Sequence, residues 1–271
     1  MTKNETSRRR FLRGGLALAS GVGARVSAQA LPGPRKTAPD PAREWHTYGG
    51  DAGATRYSHL DQIKRSNIKE LKVAWTHRTN DAMERPASTI ECEPIVVNGV
   101  MYIQTAQLQT RALDAATGKV LWNFDPRSGV QGRRAPGISR GVTYWQNPGD
   151  PKDQRVYAPY NDRLHCLNAA TGQLIPGFAQ EGSLDLVKGY DPERPDQWLR
   201  LTSPPALYNG ILICGGEVGE SEGSAAGHIR GFDTQTGKLK WIFHTIPKPG
   251  EFGHETWKGD SWKRAGGVNN W

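Results

Sequence analysis

Three segments of this chain repeat one phrase. Residues 112–122 read Ala-Leu-Asp-Ala-Ala-Thr-Gly-Lys-Val-Leu-Trp, and residues 231–241 read Gly-Phe-Asp-Thr-Gln-Thr-Gly-Lys-Leu-Lys-Trp. Between them, residues 166–176 hold a worn copy, Cys-Leu-Asn-Ala-Ala-Thr-Gly-Gln-Leu-Ile-Pro. Thr117 and Thr171 lie 54 residues apart, and Thr171 and Thr236 lie 65 apart. A repeat of this period fixes the architecture before any single residue is weighed. Each copy reads as strand, tight turn, strand. Asp can bond its own backbone in such a turn, and Gly takes positive φ there without steric cost. A Trp five residues past the Thr falls on the following strand, where a large aromatic would pack one unit against the next. Units of this size predict an all-β fold, a β-propeller of four-stranded blades.

Composition agrees. Gly and Pro number 32 and 18 with nine Trp, which suits short strands and turns, and no amphipathic helix of convincing length is visible. The net charge is +8, but the first thirty residues hold six Lys/Arg against one Glu, so the remainder carries only +3. The basic excess is an address label and gives no support to nucleic-acid binding. Within residues 1–30, Ser7-Arg8-Arg9-Arg10-Phe11-Leu12-Arg13 precedes a short apolar stretch and then Ala28-Gln29-Ala30. That order resembles a twin-arginine (Tat) signal peptide cleaved after Ala30, and implies a periplasmic protein. The apolar run is too short and Gly-rich to span a bilayer, and no later segment qualifies as a transmembrane anchor. Residues 31–44 form a Pro-rich lead-in, and the first strand is expected near Trp45.

Residues 71–77 read as the end of an earlier, incomplete repeat. Asn98-Gly99 and Asn209-Gly210 are hairpin signals within the strand patterns 94–104 and 206–214, and 155–160 is a further strand. Residues 125–140, 178–198 and 216–227 are expected as longer loops that could carry ligand groups. Cys92, Cys166 and Cys214 show no metal spacing and read as partly buried thiols, with one disulfide left open.

These motifs together resemble the quinoprotein dehydrogenases, eight-bladed propellers that use pyrroloquinoline quinone (PQQ), and the sugar-oxidising branch most. The resemblance rests on the Asp-x-x-Thr-Gly-Lys-x-x-Trp repeat, on Trp45-His46-Thr47-Tyr48-Gly49-Gly50-Asp51 and Arg56-Tyr57-Ser58, on Tyr157-Ala158-Pro159-Tyr160-Asn161-Asp162-Arg163-Leu164, and on Phe252-Gly253-His254-Glu255-Thr256-Trp257. It covers residues 45–271. It implies that Glu91, at a Glu-x-x-Pro position, bonds polar groups of PQQ. Arg140 would pair with a PQQ carboxylate, for which a guanidinium fork is suited. Gly215 and Gly216 would line the cofactor, and Trp271 would lie flat beneath its ring. Glu217 falls where alcohol-oxidising relatives bind Ca²⁺, or another divalent cation, through a Glu. Gln107 falls where some glucose-oxidising relatives place an active-site His, which makes it a candidate substrate contact and puts glucose in question.

The family reaction implied is oxidation of a sugar or alcohol, with electrons passing to ubiquinone or a cytochrome. Family members carry the metal-binding Asn and the catalytic Asp after the stacking Trp. No catalytic residue is therefore expected before Trp271, and the chain should form an incomplete arc of about four blades, the partner of a missing C-terminal half. The alternative is a non-catalytic PQQ-repeat propeller scaffold of the outer-membrane assembly type, against which Glu91, Arg140 and Trp271 together argue.

Overall fold

A computed structural model describes residues 44–128, 137–191 and 198–270. The leader at 1–30, the lead-in up to 43, and Trp271 lie outside the described residues. Strands dominate, and the longest helix described is α1, Ser261–Arg264.

Three four-stranded antiparallel sheets follow one another along the chain. The first contains β1 (Ile95–Val97), β2 (Val100–Gln104), β3 (Thr110–Asp114) and β4 (Val120–Phe124). The second contains β5 (Thr143–Asn147), β6 (Asp150–Tyr160), β7 (Arg163–Asn168) and β8 (Ser183–Asp185). A short ribbon then pairs β9 (Leu199–Arg200) with β12 (Glu217–Val218). The third sheet takes β10 (Ala206–Tyr208), β11 (Ile211–Cys214), β13 (Ile229–Asp233) and β14 (Leu239–Phe243) in that order. Each sheet is one propeller blade. Against an expectation of about four blades, the described residues form three complete ones; the stretch 44–90 has no ladder of its own and docks on the first blade through Trp45 and Trp75.

The expected hairpins form where Asn-Gly signals them. Asn98 and Gly99 take φ 52° and 75°, and Asn209 and Gly210 take 45° and 73°, the two positive values that match the twist of the flanking strands. The repeat phrase gives the turn between the third and fourth strands. Asp114 Oδ1 accepts from the N–H groups of Ala116 and Thr117 at 3.1 and 2.8 Å and from the Thr117 hydroxyl at 2.7 Å. Asn168 and Asp233 repeat the pattern, with Thr N–H contacts of 3.1 and 2.8 Å.

The turn glycines are where blades meet. A Cβ on Gly118 would stand 2.4 Å from the Trp75 ring, and one on Gly172 would stand 2.5 Å from Trp122. Both have φ near +71°, so neither space nor backbone admits another residue comfortably. Trp75 Nε1 donates to Ala115 O at 3.2 Å and Trp122 Nε1 to Ala169 O at 2.9 Å. Residues 71–77 thus behave as the expected repeat end, although they form no strand. Tyrosines on the second strands add to the seams. Tyr102 donates to Ala169 O at 3.3 Å, and Tyr157 donates to Thr234 O at 2.5 Å.

The worn copy departs for a visible reason. Proline cannot donate to a ladder. Leu174 makes a lone bridge to Leu167, and past Pro176 the chain loops out and returns as β8, which pairs with β7. The stretch expected as a loop at 178–198 therefore contains the outer strand of the second blade, and that at 216–227 contains β12. The seam compensates for the missing Trp: Phe178 is fully buried, Ala179 N–H donates to Thr236 O at 2.9 Å, and Arg155 donates to Gln235 O at 2.8 Å. Two apolar clusters fill the two seams, one around Ile95, Tyr102, Val156 and Leu167, the other around Tyr157, Phe178, Leu212 and Phe232. Each buried aliphatic side chain there stabilises by roughly 1.5–3 kcal/mol before entropy is counted.

The three cysteines are free. Burial pushes the Cys92 thiol up to about 11 and the Cys166 and Cys214 thiols up to about 12, so all three stay protonated near neutrality.

Candidate cofactor site

The first strands of neighbouring blades lie side by side, as the inner strands of a propeller do: Trp45 bridges β1, and β10 packs against β5. The residues just upstream of these inner strands are stitched to one another by backbone. Glu93 N–H donates to Arg140 O at 3.0 Å, and Arg140 N–H donates to Thr202 O at 2.8 Å. Non-adjacent stretches of sequence thereby meet at one end of the inner strands.

Two of the sequence-predicted residues come together there. Arg140 Nη2 lies 3.6 Å from Glu91 Oε2, with the side chains 24% and 40% exposed. Arg140 Nη1 also donates to Thr202 Oγ1 at 3.4 Å. The group therefore offers a guanidinium, a hydroxyl and a carboxylate in one half-exposed place, which is the donor set for a planar ligand bearing carboxylates and an N–H. PQQ is such a molecule, and these residues fit it.

Gln107 sits on the loop after β2. Its backbone N–H donates to Asp81 Oδ2 at 3.2 Å and its Nε2 to Asp81 O at 2.6 Å, while Thr105 Oγ1 makes a short bond to the same carboxylate. The Oε1 of Gln107 and the Oδ1 of Asp81 are buried without a partner. The loop adjoins the Glu91–Arg140 group through Gln104, whose N–H donates to Cys92 Sγ at 3.1 Å and whose Oε1 accepts a short bond from Ser139.

Gly215 and Gly216 face the chain approaching Trp271. Gly216 and Asn270 form an antiparallel bridge with bonds of 2.9 and 3.1 Å, and a Cβ on Gly215 would fall 2.0 Å from Asn270 O. Close backbone approach requires Gly215, whereas a Cβ on Gly216 would press on the Leu199 side chain at 3.1 Å. Trp271 itself lies outside the described residues, but the bridge carries its neighbour to this strand.

Glu217 is in a two-point ion pair. Arg200 Nε donates to Oε2 at 3.0 Å, and Nη2 donates to Oε1 and Oε2 at 2.9 and 2.7 Å. Among the described residues no group of three or more His, Cys, Asp or Glu side chains could hold a metal ion. Glu217, engaged by Arg200 and outside any such group, does not by itself make a calcium site.

Comparison with known proteins bears directly on this arrangement. Residues 45–271 match the family described as glucose/ethanol/alcohol dehydrogenase, beta-propeller domain, of the PQQ type. The chain belongs to the PQQ quinoprotein dehydrogenase family. It is 33% identical over 248 residues to quinoprotein glucose dehydrogenase A of Acinetobacter calcoaceticus, covering 81% of this chain and 29% of that protein. It is 34% identical over 247 residues to the dehydrogenase subunit of the quinone alcohol dehydrogenase of Gluconobacter oxydans, covering 83% of this chain and 29% of that one. Among solved structures, the quinohemoprotein alcohol dehydrogenase ADHIIG of Pseudomonas putida HK5 superposes with a TM-score of 0.63 at 29% identity, over 83% of this chain and 31% of that one. The chain spans under a third of the length of these relatives. Among the described residues no helix is long and apolar enough to cross a membrane.

Sequence reading did not single out Thr202, Arg200, Asp81 or Asn269. Thr202 and Arg200 flank Leu201 in Leu199-Arg200-Leu201-Thr202, beside the residues expected as a loop; Arg200 is marked only by its pairing with Glu217 across the ribbon, and Thr202 only by its bonds to Arg140.

Proposed function

We propose that this chain supplies part of the cofactor cradle of a PQQ-dependent dehydrogenase that oxidises a sugar or alcohol. The observation that carries the reading is the convergence of Glu91, Arg140 and Thr202 just upstream of successive inner strands. Arg140 would hold a carboxylate of PQQ, Thr202 would add a hydroxyl donor, and Glu91 would accept from an N–H. Trp271, which follows Asn270 in the sequence, would give the ring its aromatic floor. Bound PQQ supplies two-electron acceptance, while the protein's part here is binding and orientation. Gln107, held by Asp81, would stand at the substrate's edge.

Turnover of a sugar or alcohol is proposed for the whole dehydrogenase, of whose cofactor site these residues supply part. A divalent cation would accompany PQQ there. Ubiquinone or a cytochrome would take the electrons, and the leader would direct the protein to the periplasm through the Tat pathway.

Titration of the chain with PQQ tests the binding reading. Quenching of Trp fluorescence that saturates, and that weakens in Arg140→Ala, is the expected result. No binding by the folded chain would sink it.

A further inference from the structure

Arg200 has no part in the family-derived site, yet it joins the pieces of it. It lies directly opposite Glu217 in the antiparallel ribbon of β9 and β12, and its fork grips both carboxylate oxygens. On the Arg200 side, the next residue, Leu201, donates to Asn161 O at 2.7 Å, and the one after it, Thr202, holds Arg140 through backbone and side chain. On the Glu217 side, Gly216 bridges Asn270, and Val218 N–H donates to Asn269 Oδ1 at 2.8 Å. One ion pair thus ties the stretch that seats Arg140 to the stretch that seats the approach to Trp271. The ribbon has two residue pairs, so backbone bonds alone secure it weakly.

We infer that Arg200 is a positioning residue: its fork on Glu217 holds Thr202 and Arg140 in place for a carboxylate-bearing ligand, and engages the carboxylate that would otherwise be offered to a cation. The ligand half of this inference rests on the PQQ reading; the half concerning Glu217 does not. A bidentate guanidinium–carboxylate pair is among the stronger side-chain contacts, and this one is screened from water, with side chains 26% and 29% exposed. Calcium seeks six to eight oxygens, and among the described residues Glu217 belongs to no group of three or more His, Cys, Asp or Glu side chains that could hold an ion. Taking Glu217 as a ligand would cost the fork without completing a shell.

The test uses the whole chain, with Arg200→Gln, Glu217→Gln and the swap Arg200→Glu with Glu217→Arg. PQQ affinity is read by Trp quenching, cation binding by Tb³⁺ luminescence, and the site's backbone by hydrogen exchange at the Glu93 and Arg140 amides. Arg200→Gln should weaken PQQ about tenfold, the loss of a charged hydrogen-bonded pair. It should also speed exchange at both amides while leaving β3 and β4 protected. The swap should recover affinity to within about threefold, since the pair acts as a unit. Tb³⁺ affinity should be the same in the wild type and in Glu217→Gln. The inference is overturned if Arg200→Gln changes neither affinity nor exchange, or if Glu217→Gln abolishes Tb³⁺ binding. Should the wild-type chain bind no PQQ, the cofactor reading fails by itself. Exchange at Arg140 then decides: faster exchange in Arg200→Gln supports the positioning role, and unchanged exchange overturns it.

Discussion

The turns between third and fourth strands are copies of one another, whereas the stretches that feed the inner strands are not. Asp114, Asn168 and Asp233 each accept from the same Thr and the same backbone N–H groups. Glu91, Arg140 and Thr202 occupy comparable places before β1, β5 and β10, yet each is chemically different. The periphery repeats because every seam has the same geometric task, seating one blade's aromatic on the next blade's Gly. The inner ends differ, as the proposed cofactor, which is not symmetric about the propeller axis, would require. If that division is right, damage to the turns should cost stability and damage to the inner ends should cost binding.

The largest effect is expected at a seam. Gly172→Val forces a branched side chain into positive φ against the Trp122 ring. It should lower unfolding stability by about 3 kcal/mol or more in urea titrations. Trp122→Ala, which loses the ring packing and the bond to Ala169 O, should cost about 2–4 kcal/mol. A mild effect from both would mean that the turns do not carry the seams.

Arg140→Ala should do the opposite. PQQ affinity is expected to fall on the order of tenfold to a hundredfold, with the urea midpoint nearly unchanged. Arg140→Lys keeps the charge but not the fork and should fall between the two. If Arg140→Ala unfolds the chain as readily as Gly172→Val, the separation of seam from site collapses.

His165 tests a seam from inside. Its counterparts in the repeat are Arg111, which donates to Thr79 O at 2.9 Å, and Arg230, which donates to Leu186 O at 2.7 Å. His165 is 7% exposed, packs edge-on to Phe124 at 5.2 Å, and leaves both ring nitrogens unpartnered. Burial, aided by the nearby Arg163 charge, lowers its pKa from 6.5 to about 4. The unfolded chain takes up this proton first, so the contribution is intact above pH 6.5 and is lost as pH falls toward 4. The slope should amount to about 3 kcal/mol across that window, and His165→Phe should flatten it. An unchanged pH dependence in the variant would assign the slope to other groups.

The smallest effect belongs to a single hydroxyl. Thr117→Val removes one bond to Asp114 while leaving the backbone bonds, and should cost about 0.5–1 kcal/mol by thermal melting. A loss as large as that of Gly172→Val would show that the hydroxyl, rather than the glycine, organises the turn.

Much of this was legible in advance wherever a local rule governs. Asn98-Gly99 and Asn209-Gly210 dictate their hairpins through two residues, and the repeat phrase dictates its turns through five. A local pattern is silent where the governing contact is distant. β8 lies in a stretch expected as loop because Pro176 displaced the outer strand, and its partner β7 is a dozen or more residues upstream. Glu217 carried a resemblance to a metal ligand, but the residue that claims it, Arg200, lies 17 positions away and faces it only across the ribbon. Gln107 was read as a candidate substrate contact, and its hold on Asp81 depends on a loop 26 residues earlier.

The sequence by itself determined the blade, because a blade is built from hairpins and turns whose chemistry sits within a few neighbouring residues. It determined the family as well, since the repeat and its flanking motifs are contiguous. Only the tertiary structure decided which side chains share a site. Glu91, Arg140 and Thr202 come from stretches far apart in the chain and are brought together by neighbouring blades and short backbone bonds, while Asn270 is bridged to Gly216. Charge pairing is settled by that proximity, and proximity between distant residues is a property of packing that no local pattern encodes.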